Sequence, residues 1–97
     1  MKKDIVAGLG EIGFPIYQIV SKVFPVDGYD IDSNLIPKTN KKFELYHIRF
    51  LHVCIPYNKN FVSQVLKLNK KFLPEAIVIH STIKPGTTRN IQKKLTV

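Results

Sequence analysis

Three glycines near the start of the chain have a spacing that suits the binding of a phosphate group. Gly8, Gly10 and Gly13 follow a short apolar run and precede a stretch with helical periodicity. A turn of this kind leaves backbone N–H groups unpaired at the positive end of a helix, where they can bind an anion. The first glycine permits a tight turn, the second lets a ligand approach the backbone, and the third lets helix and strand pack closely.

An acidic residue stands at the expected distance beyond these glycines. Asp30 closes the next apolar segment, 22 residues after Gly8. A carboxylate at that position can accept hydrogen bonds from ribose hydroxyls, and it disfavours a 2′-phosphate. The glycines and the acid together predict binding of NAD rather than NADP. The alternative is that the glycines only serve a turn between a strand and a helix.

Apolar residues recur at strand and helix spacings in alternation along the chain. Short apolar runs predict strands at 3–9, 26–31, 49–55 and 76–80, and helical spacing predicts helices from about 11 to Pro25, at 58–72 and at 87–95. Residues 33–48 receive no assignment. This order predicts an α/β fold, a small doubly wound parallel sheet of Rossmann type with strand order 2-1-3-4 and helices on both faces. Residues 1–97 are expected to form a single domain.

Length and composition limit the class of protein. The 97 residues, 44% of them hydrophobic, suffice for one compact domain. No apolar run is long enough to span a membrane or to serve as a signal sequence, so a soluble, cytoplasmic protein is expected. The single cysteine, Cys54, is expected to be a buried and inert strand residue. No metal site is predicted.

The net positive charge of the chain lies in its second half. The net charge is +8, and residues 45–97 hold nine bases and one acid. This excess would attract an acidic partner. One interpretation is an ordinary solvated helix surface, and the other is binding of nucleic acid or another polyanion. The basic residues concerned are Lys67, Lys70, Lys71, Lys84, Arg89, Lys93 and Lys94.

Four segments, in order, carry a family resemblance: "VAGLGEIGFP", "GYDID", "VCIP" and "HSTIKPGTT". They resemble the N-terminal NAD-binding domain of the UDP-glucose/GDP-mannose 6-dehydrogenases, over nearly the whole chain. The resemblance implies that the glycine loop contacts the pyrophosphate and that Asp30 contacts the ribose. It also implies that Pro56 lines the loop after the third strand and that Thr82 lies beside the nicotinamide, Thr82 being a candidate for a part in the chemistry. The implied cofactor-binding residues are Gly8, Gly10, Glu11, Ile12, Gly13, Asp30, Pro56, Ser81 and Thr82.

The chain also departs from the family pattern. Tyr57 follows Pro56 where the family usually has threonine, and His80 precedes Ser81 where histidine is unusual. His80 is interpreted as a strand-end residue rather than a base. The hydroxyls of Ser81 and Thr82 have the alternative role of closing a turn after the fourth strand. Residues 33–48 are too few for the elements that the family places there, which predicts a thinner adenine pocket.

The catalytic half of the family is missing from this chain. The family's cysteine nucleophile and its lysine partner lie downstream of the matched part, and Cys54 is no substitute for them. Three hypotheses follow: an NAD-binding module that is inactive alone, a subunit completed by a separate catalytic subunit, or a basic module that binds nucleic acid. An apolar strand at the edge of the sheet also predicts a homodimer.

Overall fold

The computed structural model describes residues 2–37, 47–81 and 84–95. Strands and helices alternate along the chain, as the sequence predicts. The elements are β1 (Lys2–Ala7), α1 (Gly13–Ser21), β2 (Val26–Tyr29), a 3₁₀ turn (Ser33–Leu35), β3 (His47–Val53), α2 (Phe61–Phe72), β4 (Ala76–Ile79) and α3 (Thr87–Leu95).

The four strands form one parallel sheet in the order β2-β1-β3-β4. The predicted α/β fold and strand order are therefore confirmed. The chain moves in opposite directions across the sheet from β1 to β2 and from β3 to β4. Because such crossovers are right-handed, α1 and α2 lie on opposite faces of the sheet.

The main core lies on the face that α2 and α3 cover. Ile5, Leu51 and Val53 of the sheet pack there against Phe61 of α2 and Ile91 of α3, all of them buried. We call this the α2 face. Each of the strand residues alternates with a neighbour that points to the other side of the sheet.

The other side, which we call the α1 face, carries Val6, His52 and Val78. These three residues are paired across β1, β3 and β4 and so point in the same direction. Asp4 lies two residues before Val6, and His80 lies two residues after Val78. The α1 face therefore holds a row of polar side chains that no sequence motif identified.

The ends of several elements differ from the prediction by about two residues. β1 ends at Ala7 rather than at residue 9, because Gly8 has φ +92° and turns the chain. β3 covers His47–Val53 rather than 49–55, since its pairing with β1 extends to Lys2 and His47. Cys54 consequently lies just after the strand and not within it. In the unassigned stretch 33–48, residues 38–46 lie outside the described residues.

β4 is an edge strand with a partly exposed apolar sequence. Its neighbour on one side is β3, and among the described residues no strand pairs with its other side. A groove runs along this edge between β4 and α3, and it is lined in part by Pro74, Ile77, Ile91 and Leu95. The sheet therefore presents the open apolar edge that the sequence predicts.

Candidate functional site

The glycine loop between β1 and α1 is held tightly at its first residue. The Gly8 N–H donates a hydrogen bond of 2.8 Å to the Tyr29 carbonyl, which ties the loop to the end of β2. A Cβ at Gly8 would lie 2.9 Å from the carbonyl carbon and oxygen of Cys54. Its positive φ and this close approach both require glycine.

Gly13, at the start of α1, is also required by the packing of the chain itself. A Cβ at this position would lie 1.5 Å from the carbonyl oxygen of Gly8 and 3.1 Å from the Cβ of Cys54. The first turn of α1 therefore rests directly on the backbone at the end of β1. This is the close helix–strand contact that the spacing of the glycines predicts.

Gly10 differs from the other two glycines in the loop. No described atom outside its chain neighbours lies within 4 Å of a Cβ built on it, and its φ is not in the left-handed region. Neither the packing nor the backbone conformation of the described residues requires glycine here. A side chain at this position would instead fill the open space in front of the loop, where a ligand could approach the backbone.

The helix that follows has an uncapped N-terminus. Ile12 is the N-cap residue of α1, no side chain caps it, and the first turn contains no acidic residue. Glu11 and Ile12 are both exposed, and the Phe14 N–H donates to the Gly10 carbonyl at 3.1 Å. Because Phe14 is bonded in this way and Pro15 has no N–H, the amides without a partner among the described residues are those of Glu11, Ile12 and Gly13, near the positive end of the helix dipole.

Asp30 joins the glycine loop to the end of β2. Its Oδ2 accepts a hydrogen bond of 2.8 Å from the Leu9 N–H, and its Oδ1 accepts one of 2.9 Å from the Asp32 N–H. A carboxylate oxygen has two lone pairs, so each oxygen of Asp30 can accept a further hydrogen bond. Ile31 beside it is 97% exposed, which leaves an apolar surface next to this carboxylate.

The other predicted site residues lie across the carboxyl end of the sheet. Pro56 is exposed in the loop after β3. The Ser81 hydroxyl donates a hydrogen bond of 2.5 Å to the Ile55 carbonyl, so it ties the segment after β4 to that loop, and its oxygen can still accept. Tyr57 is packed against Phe61, with ring centroids 5.3 Å apart. Thr82 lies outside the described residues.

Strand register relates the two halves of this site. Ala7, Val53 and Ile79 are paired across β1, β3 and β4, so Gly8 and His80 follow in the next row. Neighbouring strands lie about 4.8 Å apart, which separates Gly8 from His80 by about 10 Å. A binding crevice is expected at this carboxyl end of the sheet, where the strand order reverses between β1 and β3. The glycine loop and Asp30 lie on one side of it, and the ends of β3 and β4 lie on the other.

Sequence reasoning missed a buried cluster on the α1 face, centred on Asp4. Asp4 is 1% exposed and accepts two hydrogen bonds of 3.0 Å from the Arg49 guanidinium. It also accepts one of 3.2 Å from the Phe50 N–H, and the His52 Nε2 lies 3.2 Å from its Oδ2. The His52 Nδ1 in turn lies 3.0 Å from the Nε2 of His80.

A β-bulge brings this cluster together. Between the pairs Lys3–Ile48 and Ile5–Leu51, the single residue Asp4 stands opposite two residues of β3. Because of the extra residue, the Phe50 N–H lies outside the regular pairing of the two strands, and it donates to the Asp4 carboxylate instead. The polar residues at alternate positions of β1 and β3 were visible in the sequence, but the bulge that aligns them was not.

The cluster changes the acid–base properties of its members. Burial opposes ionisation of Asp4, but the hydrogen bonds from Arg49, His52 and the Phe50 amide outweigh it and hold the pKa of this carboxyl below its usual range. Burial is the main cause that lowers the pKa of His80, and a positive charge on the neighbouring His52 would lower it further. Asp4 therefore stays ionised and His80 stays neutral at physiological pH.

The thiol of Cys54 is unreactive. Burial raises the pKa of the Cys54 thiol to about 11. At neutral pH the thiol is therefore protonated and a poor nucleophile, as expected from the sequence.

Comparisons with protein families, with characterised proteins and with solved structures find no match to this chain. Among the described residues no helix is long and apolar enough to cross a membrane. The same residues contain no group of three or more histidine, cysteine, aspartate or glutamate side chains that could hold a metal ion.

Proposed function

We propose that this chain is an NAD-binding module of Rossmann type, similar to the N-terminal domain of the UDP-glucose/GDP-mannose 6-dehydrogenases. The observation that carries the proposal is the open space in front of Gly10. A glycine that the protein's own packing does not require is expected where a ligand must reach the backbone.

The three glycines of the loop divide into two classes. Gly8 and Gly13 are required by the fold, since a side chain at either would collide with the backbone. Gly10 alone faces open space, and the amides of Glu11, Ile12 and Gly13, which lie directly after it, have no partner among the described residues. A pyrophosphate at this position would accept hydrogen bonds from those amides and would be stabilised by the helix dipole.

Asp30 supports the choice of a dinucleotide over a simple phosphate. Its two oxygens are held in place by the amides of Leu9 and Asp32, so the carboxylate is oriented before any ligand binds. Both oxygens retain acceptor capacity for ribose hydroxyls. A negative charge here disfavours the 2′-phosphate of NADP, which supports NAD as the cofactor.

We propose that the module binds NAD without completing the family's dehydrogenase reaction alone. NAD, when bound, supplies two-electron redox chemistry, whereas the residues of this chain bind and orient it. The resemblance implies a cysteine nucleophile, and the Cys54 thiol, with its pKa of about 11, does not fit that role. In the alternative, a separate catalytic subunit supplies the nucleophile. We further propose a cytoplasmic protein that dimerises through the open edge of β4.

The sharpest test compares NADH binding by the wild type and by Gly10→Ala, measured by fluorescence titration. The added methyl group enters open space, so folding is unaffected, but it occupies the position from which a pyrophosphate would contact the backbone. We expect the Kd to rise about tenfold or more, which is about 1.4 kcal/mol, with an unchanged midpoint of urea unfolding. Equal affinity of the two proteins would contradict the proposal.

A second pair of variants tests the carboxylate. Asp30→Asn removes the charge and one strong acceptor, so NADH binding should weaken and the preference over NADPH should fall. Asp32→Asn is the matched control, since Asp32 is exposed and accepts a bond from the Asn34 N–H that an asparagine can also accept. Equal losses in both variants would exclude a specific role for Asp30.

One observation favours a second candidate function, the binding of nucleic acid. α2 and α3 lie side by side over the same face of the sheet, and neither contains an acidic residue. Their outward lysines and arginine therefore share one surface. Phosphate-driven binding would weaken steeply with salt. Retention on heparin at low salt that Lys67→Gln and Lys70→Gln together abolish, but Lys22→Gln does not, would favour this candidate.

A further inference from the structure

A continuous chain of hydrogen bonds crosses the α1 face of the sheet and ends at the candidate crevice. It runs from Asp4 on β1 through His52 on β3 to His80, the residue after β4. The two imidazole rings are nearly parallel, at 25°, with centroids 5.2 Å apart and the facing nitrogens 3.0 Å apart. The rings therefore meet edge to edge, in the geometry of an N–H···N hydrogen bond.

The chemistry of Asp4 determines which nitrogen carries each proton. The ionised carboxylate only accepts hydrogen bonds, so the Nε2 of His52 must carry the hydrogen that points at it. A neutral His52 then has its lone pair on Nδ1, and the Nε2–H of His80 must be the donor to it. The remaining nitrogen of His80, Nδ1, is left with a lone pair and has no hydrogen-bond partner among the described residues.

This arrangement can accommodate one added proton. A proton that arrives at Nδ1 of His80 makes the ring cationic, and the Nε2 proton can shift toward His52, whose other nitrogen faces the carboxylate of Asp4. A second proton on the pair would set two N–H groups against each other, so the pair takes up a single proton. The charged or titratable groups that form or contact this series of hydrogen bonds are Asp4 from β1, Arg49 and His52 from β3, and His80 itself.

His80, the last residue in this series of hydrogen bonds, lies where a ligand could reach it. His80 is partly exposed, whereas Asp4 and the His52 side chain are 1% and 11% exposed. His80 stands in the row of Gly8 at the carboxyl end of the sheet, and Ser81 beside it binds the loop after β3. The buried residues Asp4 and His52 thus orient the imidazole of His80, and its Nδ1 edge is directed away from them.

We propose that His80 is a general base that activates a hydroxyl group, of water or of an alcohol, in this crevice. The Nδ1 of His80 takes the proton as the hydroxyl oxygen forms its new bond, and the positive charge is shared with His52 beside Asp4. His52 and Asp4 are positioning residues, which select the tautomer and stabilise the cation. This activity goes beyond cofactor binding and does not depend on it.

Nuclear magnetic resonance of the full chain with ¹⁵N-labelled histidine tests the relay. We expect neutral His80 to carry its proton on Nε2 and to gain the second one on Nδ1 as the pH falls. In His52→Phe the acceptor is lost, so the proton affinity of His80 should fall roughly tenfold, the size of a lost charge-assisted hydrogen bond. If His52 acted only as a nearby charge, its removal would instead raise the pKa of His80.

His52→Gln serves as the conservative variant. Its amide N–H can donate to Asp4 and its carbonyl can accept from His80, so the tautomer of His80 should be preserved. This variant also keeps the test open if His52→Phe does not fold. A wild-type His80 that is protonated on Nδ1 when neutral, or an unchanged or higher pKa of His80 in the phenylalanine variant, would overturn the relay.

Hydrolysis of 4-nitrophenyl acetate tests the base itself. Water forms a bond to the acyl carbon and gives its proton to His80, the bond to 4-nitrophenolate breaks, and acetate is the second product. We expect a rate that rises through the pKa of His80, is slower in deuterium oxide, and is lost in His80→Gln. His47→Gln, which alters a histidine that is 58% exposed and paired with Glu75, is the matched control. Equal rates for the wild type and His80→Gln would overturn the proposal.

Discussion

Gly13 lies against the carbonyl oxygen of Gly8, so closely that a Cβ on Gly13 would come within 1.5 Å of that oxygen. No rotamer change can relieve this contact, because both partners are backbone atoms at the junction of β1 and α1. The fold itself therefore requires glycine at position 13, as it does at position 8, independently of any ligand.

The first prediction concerns stability at this junction. Gly13→Ala should lower the free energy of unfolding by at least about 3 kcal/mol, because the helix must move off the strand. Gly10→Ala should change it by less than about 1 kcal/mol, since its methyl group meets nothing. Urea unfolding followed by circular dichroism measures both. Similar losses in the two variants would show that the loop is packed differently.

The second prediction concerns pH. The pKa of His80 is lowered from its usual 6.5, so the unfolded chain binds a proton there more readily than the folded chain does. The free energy of unfolding should therefore decrease as the pH falls below about 6.5. The lowered pKa of Asp4 acts in the same direction, below the usual 3.8 of that carboxyl.

Two variants separate these contributions. His80→Gln should remove the part of the pH dependence that begins below about pH 6.5, and it should leave the further loss of stability below about pH 3.8 unchanged. Asp4→Asn should remove that further loss and should also destabilise the protein at neutral pH, because the partly exposed Arg49 loses its partner. Unfolding curves from pH 3 to pH 8 would test this. A stability that rises on acidification would contradict both assignments.

The third prediction concerns a buried ion pair on the α2 side of the sheet. Lys3 and Asp27, which are 3% and 8% exposed, form a hydrogen-bonded pair between β1 and β2. Burial lowers the pKa of Lys3, and Asp27 counters this effect. Lys3→Met should destabilise the chain by about 3–5 kcal/mol, since it removes the positive charge that compensates a buried carboxylate. Lys3→Met combined with Asp27→Leu should recover much of that loss in thermal unfolding, which a purely steric effect would not.

The fourth prediction concerns the thiol. With a pKa of about 11 and half-buried, Cys54 should react with iodoacetamide at pH 8 far more slowly in the folded protein than in urea. Mass spectrometry after timed quenching measures the two rates. A folded-state rate close to that in urea would show that the thiol is activated, and Cys54 would then be a candidate nucleophile.

Much of the architecture could be predicted because it depends on local patterns. Apolar runs and helical spacings follow from the side chains alone, and the handedness of crossovers then leaves few topologies. The errors lie at element ends, where tertiary contacts decide. β3, for example, begins at His47 because Lys2 is available to pair with it, and no local feature of the sequence indicates that pairing.

The candidate site likewise contains residues that the sequence could predict and residues that it could not. The glycine spacing and Asp30 were readable because they belong to one strand–turn–helix unit and the strand that follows. His80, in contrast, was interpreted as an ordinary strand-end residue, since nothing near it in sequence indicates a partner. His52, its partner in the structure, stands 28 residues away and reaches it only through the pairing of β3 with β4.

By itself the sequence determined the order of the elements and the glycine-rich turn between β1 and α1, because periodicity and glycine spacing act over a few residues. Only the tertiary structure decided which glycine faces open space, and that Asp4, His52 and His80 form one chain of hydrogen bonds. These properties depend on strand register and on a bulge, which place residues far apart in sequence within hydrogen-bond distance.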